Sequence, residues 1–197
     1  KINKKRKHKA KKSKKKSGMK GIILSVLAMV FGVLLFCSMF MPMIASKNSD
    51  ETKVSATNVL TAMSFADPTE DPVQYAKDIA NASKEEIAAR SLLASEDTAA
   101  KTKAAAFLNL FASIFGGLLV VAALLAMIFR GNLMRTLALA FGTLGTLCAI
   151  GAIICVFVLL GTEMAGVKFS ENAGIHAAPF IAIISGATAT ICAWLKK

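Results

Sequence analysis

Two apolar runs decide the fold: AAAFLNLFASIFGGLLVVAALLAMIF at 104–129 and TLALAFGTLGTLCAIGAIICVFVLLG at 136–161. Only Arg130-Gly131-Asn132-Leu133-Met134-Arg135 separates them. Each run exceeds the ~18 apolar residues that mark a membrane-spanning helix. In lipid every backbone N–H and C=O must be satisfied within the segment, so the runs are helices. Strands of a membrane barrel would alternate polar and apolar side chains over about ten residues, and these runs do not. The pair therefore reads as a transmembrane hairpin. Gly131-Asn132 supplies the backbone freedom its tight, basic turn needs.

Two more runs of the same kind lie outside the hairpin, at 21–44 and 174–195. At about 1.5 Å per residue all four can cross a hydrocarbon core of about 30 Å. Mean hydropathy is +0.57 and 55% of residues are hydrophobic, which places the whole chain in the membrane class rather than the soluble one.

Charge then sets the topology. All 12 acidic residues fall in two segments, ten in 45–103 and two, Glu163 and Glu171, in 162–173. The tail 1–20, the 130–135 turn and the C-terminal Lys196-Lys197 carry no acid and hold 16 of the 24 Lys and Arg, against 8 for the other side. The positive-inside rule puts those three segments in the cytoplasm and the two acid-bearing loops outside. An even number of spans closes this assignment without contradiction.

The tail is Lys4-Lys5-Arg6-Lys7-His8-Lys9-Ala10-Lys11-Lys12-Ser13-Lys14-Lys15-Lys16, with one large apolar residue, Ile2, before Met19. Such a segment repels itself and is expected to be disordered in solution. It reads first as a topology determinant. It reads second as a tether to anionic lipid through Lys4, Lys5, Arg6, Lys7, Lys9, Lys11, Lys12, Lys14, Lys15 and Lys16, each worth about 1 kcal/mol near the surface. Nucleic acid is the weaker partner, because no aromatic side chain interleaves the lysines to stack on bases. The run at 21–44 is too long for the apolar core of a signal peptide and reads as an uncleaved first span.

Segment 45–103 is the only sizeable polar stretch. Asp71-Pro72 is a helix N-cap followed by proline at the first helical position. Ser83-Lys84-Glu85-Glu86 fits the capping box, and 54–64 is a further short helix. The loop is expected to be a small helical cap over the outer face. Asn81-Ala82-Ser83 is a glycosylation acceptor triplet. Asp67, Glu70 and Asp71 flank two prolines without the spacing of a calcium loop, and read as an acidic turn.

Inside the spans, Gly142, Gly145 and Ala149 form a ridge of small residues on the third. Ala178, Ala182, Gly186 and Thr190 recur every fourth residue on the fourth. This is the pattern that lets helix backbones approach closely, within a bundle or against a partner. Cys37, Cys148, Cys155 and Cys192 all lie in spans and read as buried apolar thiols, with Cys192 near enough to the inner face for acylation. No Asp, Glu, Lys or Arg falls within the hydrocarbon part of any span, whereas proton relays and ion-coupled transport normally need one. The polar groups left there, Ser25, Ser38, Asn109, Ser113, Thr143, Thr146, Ser185, Thr188 and Thr190, read as packing residues.

Catalytic and cofactor signatures are missing: there is no P-loop, dinucleotide fingerprint, zinc spacing or metalloprotease helix. A Ser170, Glu171, Glu163 and His176 group can be drawn on the second outer loop, but no nucleophile elbow surrounds it, and His176 reads as a headgroup-level histidine. The topology resembles eukaryotic tetraspan families such as the claudins: four spans, both ends inside, a larger first outer loop. The claudin loop carries a tryptophan-rich motif with paired cysteines. The loop here has neither Trp nor Cys, so the resemblance covers architecture alone.

The expectation is an all-α integral membrane protein with four transmembrane helices in two helical hairpins. A small helical extracytoplasmic cap and a disordered basic N-terminal tail complete it, in the plasma membrane with both termini cytoplasmic. Its expected role is non-enzymatic, without cofactor or metal: a structural or accessory subunit that binds the bilayer, anionic headgroups, and another membrane protein or itself. The alternative is a transporter or channel component drawing its polarity from Asn109 and the hydroxyl residues.

Overall fold

The computed structural model describes residues 2–47, 52–129, 132–164 and 167–195; the side chains of 2–18, Met164 and Val167 fall outside that description. Helix α1 (Ile2–Cys37) is followed by a 3-10 turn (Ser38–Phe40) and two strands, β1 (Pro42–Ser46) and β2 (Lys53–Ser55). Helices α2 (Ala56–Met63), α3 (Pro72–Asn81) and α4 (Lys84–Ala94) come next, then the long α5 (Glu96–Ile128) and α6 (Asn132–Leu160). A hairpin of β3 (Glu163–Met164) and β4 (Val167–Lys168), one helical turn α7 (Phe169–Asn172), β5 (Ala173–Ile175) and α8 (Ala177–Leu195) complete the chain.

Four segments are long and apolar enough to cross a membrane: Met19–Phe40, Glu96–Ile128, Asn132–Leu160 and Ala177–Leu195. The chain is an integral membrane protein, 81% helical. Helices α1, α5, α6 and α8 form a ring in chain order. Each packs on the two beside it, α1 closing the ring against α8, while α5 and α8 barely touch across the diagonal. Large apolar side chains point outward at helical spacing, as Phe111, Ile114, Leu118 and Val121 do on α5. In lipid that is the solvated face, so packing selects small residues for the inside instead. The 33 residues of α5 extend about 50 Å, well beyond a hydrocarbon core of about 30 Å. Its first turns therefore stand clear of the core and carry the cap.

The ends of the runs differ from the sequence reading. The run 21–44 does not stay helical: α1 stops at Cys37, and Pro42–Ser46 is a strand. A short apolar run looks the same whether it continues a helix or begins a strand, and Pro42 sits at the first strand position, which proline tolerates. The start of α5 does agree with the sequence: 97–103 reads as the solvated end of the second span, and the helix runs unbroken from Glu96, where Glu96 and Asp97 suit the positive N-terminal end. Helix α1 is continuous from Ile2, where a disordered tail is expected up to Lys20. Lys and Arg are good helix formers, and neither Gly nor Pro occurs between Ile2 and Ser17.

The cap is not purely helical. Strand β1 lies between β2 and β5 in an antiparallel sheet, Ile44 pairing with Val54 on one side and Ile175 on the other. Since β5 comes from the loop before α8, the sheet stitches the two loops at this end together. His176 N–H donates to Met43 O at 2.9 Å and Lys47 N–H to Asn172 O at 2.8 Å, extending the seam. The helices begin at clear caps. Asp71 accepts from the Gln74 N–H, and Ser83 and Glu86 exchange side-chain and backbone bonds. A single cluster of buried side chains holds this end: Met43, Val59, Ala89 and Leu92 of the cap with Ala105, Val156 and Leu159 of the spans. The cap thus borrows the tops of α5 and α6 for its core. That is how so short a loop, which could not close a core alone, stays folded.

Candidate functional site

The small residues of the sequence reading lie in the seams between spans. Gly142, Gly145, Ala149, Ala178, Ala182 and Gly186 are buried, and Thr190 is half-buried. The α6–α8 seam is reciprocal. A β-carbon on Gly142 would stand 2.5 Å from Thr190 Oγ1, and one on Gly186 would stand 2.5 Å from Thr146 Oγ1. Each threonine donates its hydroxyl to its own helix, Thr146 to Gly142 O at 2.7 Å and Thr190 to Gly186 O at 2.8 Å. The hydroxyl is thereby neutralised and the side chain lies flat in the groove opposite the partner glycine. The sequence reading places Thr146 among the packing hydroxyls but not in the small-residue ridge of the third span. Its signal was the repeat of glycine followed four residues later by threonine on both helices.

A second seam joins α1 to α5 backbone to backbone. A β-carbon on Gly116 would come 2.7 Å from Phe36 N and 2.9 Å from Gly32 O. Gly145 brings α6 onto the same place, its missing β-carbon 2.9 Å from Leu35 Cδ2. Leu35, Ala112, Ala149 and Ala182 meet there as one cluster from all four helices, and Leu35 and Leu119 are fully buried.

Above that plug sits the most polar part of the interior. Ser38 donates to Leu35 O at 2.7 Å and approaches Asn109 Oδ1 at 3.1 Å. Ser113 reaches Asn109 O at 3.0 Å and Leu35 O at 3.3 Å, and Asn109 Nδ2 reaches Ser38 O at 3.5 Å. Two hydroxyl protons and one carboxamide thus serve the carbonyls that α1 leaves open where it ends. At this depth water is scarce and an open carbonyl is costly. Ser38, Asn109 and Ser113 therefore act together as the cap of α1, and they aim the chain into β1.

At the opposite end Arg135, in the first turn of α6, donates from Nε to Ala193 O at 3.2 Å and from Nη2 to Trp194 O at 2.8 Å. Those carbonyls end α8, where a cation is favoured. Arg130, Gly131, Lys196 and Lys197 lie outside the described residues, as do the side chains of Lys4, Lys5, Arg6, Lys7, Lys9, Lys11, Lys12, Lys14, Lys15 and Lys16.

The drawn catalytic group does not assemble on the hydrogen bonds present. Ser170 contributes its carbonyl to Lys47 Nζ at 2.5 Å, Glu171 is exposed, and His176 Nδ1 is buried with no partner among the described residues. Among the described residues no three His, Cys, Asp or Glu side chains gather as a metal site would require. In the acidic turn, Asp67 Oδ1 accepts from the Thr69 hydroxyl at 2.5 Å and from Thr69 N–H at 2.8 Å. These bonds hold its carboxyl below the usual carboxylate range.

Comparison with known proteins gives no match: no family model fits the chain, and no curated protein or solved structure matches it.

Proposed function

We propose that this protein is a non-enzymatic structural or accessory subunit of a membrane assembly, placed in the plasma membrane with both termini cytoplasmic. It works through helix–helix contacts and the outer loops, while its polybasic tail holds the inner face at anionic lipid. The observation that carries the reading is how the interior polar groups are used. Ser38, Asn109, Ser113, Thr146 and Thr190 are all bonded within the bundle, and Leu35 and Leu119 fill its centre. A scaffold uses its polar atoms this way; a conduit keeps them for a solute.

The small-residue seams are occupied by the bundle itself, so partner contacts fall to the lipid-facing sides and the cap. Helix α3 favours the cap: it has no fully buried residue, and Val73 is 65% exposed. The test is affinity purification in mild detergent. The reading expects a second membrane protein in fixed stoichiometry, or a homo-oligomer. A clean monomer, in detergent and in lipid discs, would sink it.

A further inference from the structure

Among the described residues, helix α3 packs on almost nothing of its own chain. Every other helix and strand lies against a neighbour, whereas α3 barely touches any. Its ten residues fall short of the about 12–15 that an isolated helix needs in water, so its apolar side calls for cover. One side is held by the cap. The Tyr75 ring lies under the Arg90 guanidinium at 5.7 Å, and Asp78 accepts from the Ala66 N–H at 3.0 Å. Tyr75, Asp78 and Ile79 are half-buried there. The other side is open. Val73, Ala76 and Ala80 recur at spacings of three and four and form an exposed strip, with exposed Lys77 at its edge.

The strip is flat. Two alanines beside one valine let a neighbouring helix come close and seat large side chains over them. Its surroundings are acidic. Between 64 and 86 the chain carries Asp67, Glu70, Asp71, Asp78, Glu85 and Glu86 against Lys77 and Lys84 alone. Asp67, Glu70 and Asp71 stand exposed just ahead of the helix. A second copy of the chain would bring the same excess of acid, and like charge at a contact is unfavourable. Lipid is a poor cover as well. One valine and two alanines bury little apolar area, and carboxylates do not draw anionic headgroups. Complementarity selects a protein surface of the opposite sign.

We propose that the open side of α3 is the docking surface for a helix of a partner membrane protein on the cap side of the membrane. The partner helix sets large apolar side chains over Ala76 and Ala80 and carries Lys or Arg where it meets Glu70 and Asp71. The surface rests on the subunit reading and gives it a location and a chemistry.

The photocrosslinking residue p-benzoylphenylalanine, placed at position 73 of the full chain and irradiated in the native membrane, tests it. The joined peptide is sequenced by mass spectrometry. The expected product is one other membrane protein, joined through an apolar segment flanked by Lys or Arg. The same residue at position 74, on the polar side, should give little of it. Glu70→Lys with Asp71→Asn reverses the charge while keeping a side chain able to cap α3, and should lower the yield at least about fivefold. Ala76→Leu fills the strip at a position exposed in this chain, and should lower it as much. A product with a second copy or with lipid, a joined segment without basic residues, no product, or a yield indifferent to both variants would overturn the proposal. Purification of the Ala76→Leu chain in mild detergent separates the two readings. A partner still held in full stoichiometry overturns this surface and leaves the subunit reading standing, whereas an unmodified chain that purifies alone overturns both.

Discussion

Ser38 and Asn109, 71 positions apart in the chain, meet through a hydroxyl–carboxamide contact of 3.1 Å at the point where α1 gives way to the sheet. The contact couples a span to the cap. Asn109→Ala removes both the acceptor for Ser38 and the donor to its carbonyl. It should cost about 1–2 kcal/mol of stability, read by reversible unfolding in mixed micelles. Asn109→Ser, which keeps one hydroxyl, should recover part of it.

Neighbouring glycines on α5 make opposite predictions. At Gly116 a β-carbon meets backbone atoms of α1 at 2.7 and 2.9 Å, whereas at Gly117 it meets only the Phe36 ring at 3.5 Å. Backbone cannot swing aside as a side chain can. Gly116→Ala should destabilise by about 1–3 kcal/mol through forced separation of the helices. Gly117→Ala should be neutral or gain up to about 1 kcal/mol in helix propensity. Thermal unfolding of the two purified variants side by side distinguishes them.

The sheet predicts a crosslink. Ala45 and Gly174 are opposed in the antiparallel β1–β5 pair, and opposed residues lie within disulfide reach. The A45C/G174C variant, with the four native cysteines replaced, should form a bond under mild oxidation. A45C/S170C should not. Non-reducing electrophoresis after cleavage between the loops reads the result.

The Asp67 turn predicts a pH response. Its carboxyl is held below the usual range by the hydroxyl and N–H of Thr69. A lowered folded value means the stabilisation is full above the unfolded value, near pH 4, and disappears as pH falls through the folded one. Thr69→Val removes the hydroxyl bond, the larger of the two effects, and should move the Asp67 titration upward. Carboxyl carbon shifts of Asp67 followed from pH 6 to pH 2 test this.

Much of the fold is legible in the sequence because the signals are local. Apolar runs give the four membrane helices, and Asp71-Pro72 and Ser83 to Glu86 mark where α3 and α4 begin. Contacts distant in sequence are another matter. Nothing in Pro42–Ser46 says that it pairs with Ala173–Ile175, and a helix–strand boundary inside one apolar run leaves no periodicity to read. Glycine spacing marked Gly142 and Gly186 as packing residues, but which threonine each would meet depends on the crossing of α6 and α8. Ser38, Asn109 and Ser113 look like scattered hydroxyl and amide groups until α1 is seen to end among them. Arg135 reads in sequence as a topology signal alone; its bonds to α8 need the bundle closed.

The central claim is that this bundle serves as a subunit, with Ser38, Asn109, Ser113, Thr146 and Thr190 bonded within it and its outward faces left for a partner. The most direct test is the mass of the particle extracted from its native membrane into lipid discs. The account predicts a mass equal to a whole number of chains above one, or one chain plus a partner in fixed ratio. A particle holding a single chain and lipid alone, at every protein concentration tried, would contradict it.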